Sequence, residues 1–301
     1  MKARSAFLIF FATVLTGSAA GDATTPAPSV APSLQAAGLH NAFRVTDRIY
    51  SGSQPERAGA FAELARLGVK TIVSVDGAKP DVTAARRHGL RYVHLPIGYD
   101  GVPTERVAEL ARAAALPDGP IYVHCHHGKH RGPAAVAVMC EATAGWSRER
   151  AEAWLRQAGT AAEYAGLYRS VREFQPPSAA ALARVDALPE VAKTPALVDA
   201  MVALDERFDA LAAAQKAGWK SPPAEVATLL WEQLRELART DDTARRPDLY
   251  RRHLADAEQA TEALRAALRA NPPALAALDA AFRQTAASCT ACHKAHRNER
   301  K

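Results

Sequence analysis

The stretch Tyr122-Val-His124-Cys125-His126-His127-Gly128-Lys129-His130-Arg131-Gly132-Pro133 is dense in reactive side chains. A β-branched run leads into Cys125 and a helical pattern begins near Arg131, so the residues between them connect a strand end to a helix start. Such a loop, with Gly128 inside it, turns successive backbone N–H groups inward, and the dipole of the following helix adds to them. The product is an anion cradle. A thiol placed there gives up its proton readily and becomes a nucleophile. Arg131 closes the ring with a planar fork that matches phosphate oxygens. His126, His127, Lys129 and His130 make the loop strongly basic. That fits a polyphosphorylated substrate or, alternatively, a solvated rim tuned to no ligand. A metal is not expected here, because the loop backbone must face inward and no fourth ligand arrives at matching spacing.

A second stretch, Ser288-Cys289-Thr-Ala-Cys292-His293-Lys-Ala-His296, lies near the C-terminus. On a helix, Cys289, Cys292 and His293 stand at i, i+3 and i+4 and share a face. That face continues the stripe of Leu275, Leu278 and Phe282. Cys-x-x-Cys-His is the attachment motif for haem c: both thiols add to the haem vinyl groups and His293 reaches the iron. A redox dithiol would sit at a strand-to-helix junction, and zinc would need a second pair of ligands. Neither context is present in the sequence. Of the four cysteines, Cys140 remains, in Ala-Val-Ala-Val-Met-Cys. It reads as core packing, with a resolving partner for oxidised Cys125 as the alternative.

Two kinds of element must position these stretches. From Phe43 to Phe174, strand-like runs (Phe43–Val45, Ile49–Tyr50, Val69–Val75, Leu90–Leu95, Ile121–Val123) alternate with helical patterns. This predicts an α/β domain with a parallel central sheet flanked by helices. Residues 176–195 contain Pro176, Pro177, Pro189 and Pro195 and read as a linker, with room for one helical turn. Beyond it the strand signals stop. Four helical stretches follow: Ala196–Ala217, Pro223–Thr240, Asp248–Ala270 and one that opens near Pro272, with Asn271 as N-cap. Short connections between them predict an all-α antiparallel four-helix bundle.

His124-Cys125-x5-Arg131 with Gly128 inside, between a strand and a helix, resembles the signature of the cysteine-dependent protein tyrosine phosphatase superfamily. Ile49-Tyr-Ser-Gly-Ser-Gln-Pro55 also resembles its compact dual-specificity branch, and the resemblance covers about residues 40–175. It implies catalysis through a phosphocysteine on Cys125, with Arg131 and the amides of His126 to Arg131 holding the phosphate. It also implies a general acid on an upstream loop. Asp100, in Leu95-Pro96-Ile97-Gly98-Tyr99-Asp100-Gly101, fits that place, with Asp76 as the second choice. One departure stands out. The family carries Ser or Thr after the arginine, where its hydroxyl helps the thiolate depart, and this chain has Gly132. The C-terminal motif on helices resembles class II cytochromes c, the cytochrome c-prime type, over about residues 190–300. That resemblance implies a sixth iron position either empty or filled by a Met from the first helix. Met201 stands at that spacing, and its alternative is a core methionine. His253 reads as a surface or propionate-side residue.

Residues 1–20 have the pattern of a signal peptide: Lys2 and Arg4, the apolar run Ala6–Leu15, then Ser18-Ala19-Ala20. Residues 21–38, rich in Thr, Pro, Ala and Ser, read as a flexible lead-in. With the leader removed, the formal charge of +6 drops by the two charges of Lys2 and Arg4. So mild a balance gives no case for nucleic acid. No later segment has the length of a membrane span. The domains are therefore expected at 39–175, dual-specificity phosphatase-like, and 196–301, cytochrome-like. The whole reads as an exported, periplasmic phosphomonoester hydrolase fused to a haem c domain. Its partners are a phosphorylated small molecule or phosphoprotein and a redox partner, without stable membrane insertion. The alternative is a haem-based redox or gas sensor, or an electron carrier, with a catalytically weak phosphate-binding domain.

Overall fold

The computed structural model describes residues 30–193 and 197–296. The expected leader and the first part of the lead-in lie outside the described residues. The N-terminal unit runs β1 (Phe43–Arg44), β2 (Ile49–Ser53), α1 (Ala58–Arg66), β3 (Thr71–Ser74), α2 (Val82–Arg87), β4 (Arg91–His94), α3 (Thr104–Ala114), β5 (Ile121–Cys125), α4 (Arg131–Thr143), α5 (Arg148–Gln157), α6 (Ala165–Arg172) and α7 (Ala179–Ala183). The C-terminal unit runs α8 (Leu197–Lys216), α9 (Ala224–Ala238), α10 (Asp241–Ala244), α11 (Asp248–Arg269) and α12 (Leu275–His296).

The five strands form one sheet in the order β1-β2-β5-β3-β4. All pairs are parallel except β1 with β2. The sheet is therefore mixed: its centre is parallel, and the hairpin-like entry of Phe43–Val45 and Ile49–Tyr50 supplies the one antiparallel pair among the described residues. The cause is the tight hairpin at Thr46, whose Oγ1 accepts from Arg48 N at 3.1 Å and Ile49 N at 3.0 Å and turns the chain back. β2, β3 and β5 are buried along their whole length, which explains their near-continuous β-branched and small residues. β5 lies between β2 and β3, paired Ser53↔Cys125 and Ser74↔His124. Cys125 thus emerges at the carboxyl end of a central parallel strand, beside the switch in strand order where open α/β sheets place their ligands. α4 is buried from Arg131 to Cys140. It forms the middle of a helical layer with α3, α5 and α6, as a helix apolar on all sides must. Trp154 of α5 seals that contact: its indole N–H donates to Pro133 O at 3.0 Å, and Phe43 meets its ring edge-on.

Three expectations need correction. The described part of the lead-in is not loose: Val30 N and Ala31 N donate to Gln157 Oε1, and Ala31 is buried. Much of the linker is pinned to the sheet edge. His94 N donates to Pro189 O at 2.8 Å, Ala192 N donates to His94 Nδ1 at 3.1 Å, and Glu190 pairs with Arg86. The last helix begins at Leu275, just past the Pro272-Pro273 pair, rather than at that pair with Asn271 as its cap. In the C-terminal unit α8 packs on α9, α9 on α11, α11 on α12 and α12 on α8, around one apolar core. α10, four residues capped by Thr240, is an addition the periodicity did not show. No helix of the described residues is long and apolar enough to cross a membrane.

Candidate active site and haem attachment site

The chain from Cys125 to Arg131 closes into a loop whose carbonyls are tied outward. His126 O accepts from Gln54 N at 3.1 Å, Gly128 O from Asn41 Nδ2 at 2.9 Å and Lys129 O from Thr160 Oγ1 at 2.7 Å. With the carbonyls held outside, the remaining amides and the start of α4 are left for an anion. Gly128 makes the closure possible. Its φ is +69°, and a Cβ there would lie 2.3 Å from Gly52 C of β2.

Arg131 is buried, 1% exposed. Its Nη2 donates to Asp76 Oδ2 at 3.1 Å and to Glu236 Oε1 at 2.7 Å, and its guanidinium lies 4.2 Å over the Tyr99 ring. Its Nε is buried and has no hydrogen-bond partner among the described residues. A buried guanidinium N–H without an acceptor is costly, and a phosphate oxygen in the loop satisfies it. Cys125 is buried, 2% exposed. A Cβ on Gly132 would stand 3.5 Å from Cys125 Sγ. Position 132 is thus beside the sulfur, where a serine or threonine hydroxyl would reach it and where this chain offers none.

Asp100 and Asp76 separate cleanly. Asp100 is exposed and lines, with Tyr99 and Arg131, a cavity of about 1020 Å³ that extends onto α8 and α9. Its backbone is gripped by α6: Arg169 Nη2 donates to Asp100 O at 3.3 Å, and Gly166 packs against the same peptide. Asp76 is buried beneath the loop. It accepts from His126 N at 2.7 Å and Ala78 N at 2.9 Å, and Arg239 grips both its oxygens. Burial alone would raise its pKa, but Arg131 and Arg239 hold it well below the usual carboxylate range. Asp76 is a permanent anion that ties the start of the loop to its arginine, so the alternative acid role for it is withdrawn.

The basic loop residues do not converge on one ligand. His126, His127 and Lys129 border a second cavity of about 740 Å³ on the other flank, with His40 and Arg57. His127 Nε2 meets Arg235 Nη2 at 2.8 Å. His130 turns toward Tyr164, stacked at 4.1 Å, and stands 3.9 Å from Glu232. Burial, assisted by Arg131, lowers the His130 pKa to about 3, so this ring is neutral and its contact with Glu232 is not an ion pair. Burial likewise lowers His124 to about 4. Residues 43–184 match the family model described as PTP-SAK: Swiss Army Knife protein, DSP-PTPase phosphatase domain. Over these residues the chain is similar to dual-specificity phosphatase domains. The chain is 32% identical over 122 residues to the dual specificity protein phosphatase TpbA of Pseudomonas aeruginosa strain UCBPP-PA14, covering 40% of this chain and 55% of the relative. The protein of the same name from strain PAO1 is 32% identical over 114 residues, 37% of this chain and 51% of the relative. The chain thus spans about half the length of the curated relatives it matches. Among solved structures, P. aeruginosa TpbA aligns with TM-score 0.44 and 25% identity, covering 50% of this chain and 94% of that one. The core catalytic domain of the PP-IP phosphatase SIW14 from S. cerevisiae, in complex with citrate, aligns with TM-score 0.41 and 20% identity, covering 49% and 89%.

Sequence reasoning missed the residues that reach the phosphatase-like loop from more than a hundred positions away. Glu232, Arg235 and Glu236 of α9 and Arg239 at its C-cap all contact it or Asp76. The signal was available: Glu232 and Glu236 stand four apart in a helix otherwise rich in leucine.

The second site is less enclosed. Cys289 and Cys292 are free thiols, half-buried, on the stripe that runs from Leu278 and Phe282 through Thr285. His293, next along the chain, is exposed. Two free thiols and an imidazole within one turn are the donor set a covalent haem needs. α8 runs antiparallel beside α12. Trp219 Nε1 donates to Asp279 Oδ1 at 2.9 Å, and Phe208 stacks on Phe282 at 5.2 Å. Met201 lies seven residues, two turns, before Phe208 on α8, and α12 runs on from Phe282 in that same direction toward Cys289. Met201 is half-buried against the helical core. His253 Nδ1 meets His296 Nε2 at 3.1 Å, one turn past Cys292. Cys140 is wholly buried mid-α4, and burial raises its pKa to about 12. It lies eight residues, about 12 Å, along the helix from Gly132 beside Cys125, beyond disulfide reach, which leaves core packing.

Proposed function

We propose that this chain hydrolyses phosphomonoesters through a phosphocysteine on Cys125. The observation that carries the reading is the buried, unpartnered Arg131 Nε in a loop whose carbonyls are turned outward. Cys125 Sγ attacks phosphorus, and the P–O bond to the leaving group breaks. Asp100 gives its proton to the departing oxygen. The loop amides and Arg131 hold the equatorial oxygens. Water, deprotonated by Asp100, then attacks the phosphocysteine, and inorganic phosphate and the Cys125 thiolate are released. The test is p-nitrophenyl phosphate turnover by the full chain against Cys125→Ser, which should fall at least about 10³-fold. A rate unchanged in Cys125→Ser overturns the assignment.

We infer that the helical unit is a four-helix bundle holding haem c, with thioether bonds from Cys289 and Cys292 and His293 on the iron. When bound there, haem supplies one-electron or gas-binding chemistry. Met201 fits the sixth position, and export past the leader at residues 1–20 fits the compartment where such attachment occurs. Haem that resists acid-acetone extraction and is lost in the Cys289→Ala/Cys292→Ala double variant is the expected result. Extractable haem sinks it. The second reading, a haem-based sensor or electron carrier whose phosphatase-like unit binds anions but turns over weakly, is favoured by Gly132 beside Cys125 Sγ.

A further inference from the structure

One face of α9 lies across the phosphatase-like loop. Glu232, Arg235, Glu236 and Arg239 follow at i, i+3, i+4 and i+7, so they form a single stripe. Tyr164, under the His130 ring, donates to Glu232 at 2.6 Å; Arg235 meets His127; Glu236 takes Arg131; Arg239 grips Asp76. The Glu236 carboxylate sits in a complete anion-binding set. It accepts from Arg131 Nη2 at 2.7 Å, Arg239 Nη1 at 3.1 Å and Gly77 N at 3.0 Å. A Cβ at Gly77 would fall 2.0 Å from Glu236 Oε2, so the approach depends on glycine there. Further charged contacts fasten the two units: Arg265 and Arg269 of α11 hold Glu163 at 3.1 and 3.2 Å, beside α6.

One of the donors spent on Glu236 is the guanidinium that substrate phosphate needs. We propose that α9 is an intramolecular cap on the phosphatase-like site, with the Glu236 carboxylate taking the place of substrate phosphate on Arg131. The proposal rests on the phosphatase reading of the Cys125 loop. A phosphate dianion outbids a carboxylate for a guanidinium fork, so ligand and cap compete. Substrate binding and displacement of α9 are then one linked equilibrium. A cap closed nine-tenths of the time weakens apparent phosphate affinity about tenfold.

The test uses the full chain and inorganic phosphate, titrated calorimetrically, with p-nitrophenyl phosphate kinetics alongside. Glu236→Gln keeps the shape and removes the charge; Glu236→Ala removes both. Glu206→Gln, on the exposed side of α8, is the control. Both Glu236 variants should bind phosphate about tenfold tighter and show a lower KM with kcat undiminished, while the control stays at wild type. Equal phosphate affinity in all chains overturns the cap. Weaker binding in the variants also overturns it, because it would make Glu236 a positioning residue for Arg131. If no chain turns over but the Glu236 variants still bind phosphate tighter, the cap stands and the hydrolase reading falls. Should Glu236→Ala not fold, the isosteric glutamine carries the same comparison.

Discussion

The two cysteine sites are finished to different degrees. Around Cys125 the polypeptide supplies nearly everything: outward-tied carbonyls, a buried arginine, a buried counter-anion in Asp76 and a helix laid over the top. Around Cys289 and Cys292 it supplies two half-buried thiols on one stripe, with His293 exposed beside them and, among the described residues, no comparable network. A loop that must grip a transient phosphate has to be rigid before the ligand arrives, because catalysis depends on preorganised donors. On the proposed reading of the second site, a permanent covalent group would itself supply part of the order. The cost of the first strategy is a set of buried charges, which is stable only while every partner is present.

Removing one partner therefore breaks the comparison most severely at the Cys125 site. Asp76→Asn removes the more deeply buried of the two carboxylates, Asp76 and Glu236, that Arg131 and Arg239 share, and should destabilise the N-terminal unit by about 3–5 kcal/mol in urea unfolding. Asp100→Asn, on an exposed loop, should leave stability unchanged yet lower kcat about 10²–10⁴-fold. Reversal of these two effects would exchange the roles of the carboxylates. Acid tests the same network. Asp76 has a depressed pKa in the folded chain, so its stabilisation is complete above the ordinary carboxylate range and is lost as pH falls below it. His124 and His130, lowered to about 4 and about 3, act in the same direction from near pH 6.5 downward, because the unfolded chain takes up protons that the folded one refuses. Unfolding temperature should decline steadily from pH 7 to 4, and Asp76→Asn should flatten the lower part of that slope.

How far the sequence could be read follows the same division. The loop, its flanking strand and helix and the sheet were legible because hydrophobic period and the residues Cys125, Gly128 and Arg131 are local signals. The place of Asp100 on a loop after β4 was legible, and there it lines one cavity with Arg131; its acid role is part of the proposal. Asp76 was misjudged as a rival acid because its burial depends on Arg239, which is 163 residues away. The α9 stripe was invisible as a function for the same reason: its partners lie in another unit. The short β1 was legible as one arm of a hairpin-like entry, because Phe43–Val45 and Ile49–Tyr50 are strand-like runs separated by only three residues. His127 and His130 appeared as phosphate ligands by type, yet their rings face Arg235 and Tyr164.

The helical site gives a milder test. If Met201 fills the sixth position, the ferrous haem protein should be low-spin, and Met201→Ala should convert it to high-spin in the visible spectrum. Met201 is only half-buried, so the cavity cost of the truncation should be small, below the about 2–5 kcal/mol of a fully buried methionine. An unchanged spectrum with a measurable loss of stability would assign Met201 to packing alone.

The smallest effect is expected at Gly132, where the Cys125 site falls short of its own completeness. A serine there would carry its Cβ 3.5 Å from Cys125 Sγ and 3.1 Å from Cys125 N. The second distance is tight, so the strand end must yield by a few tenths of an ångström, and some of the gain is spent on strain. The hydroxyl, one bond further out, can donate to the sulfur as it leaves phosphorus. A hydrogen bond to a sulfur that carries only part of its charge in the transition state contributes about 0.5–1.5 kcal/mol, or a few-fold in rate. The wild type should therefore accumulate phosphocysteine and show a burst of p-nitrophenol before steady turnover. Gly132→Ser should shrink the burst and raise kcat a few-fold. No burst in the wild type, together with a slower serine variant, would mean that breakdown of the phosphocysteine is not limiting and that glycine is there to let α4 approach the strand.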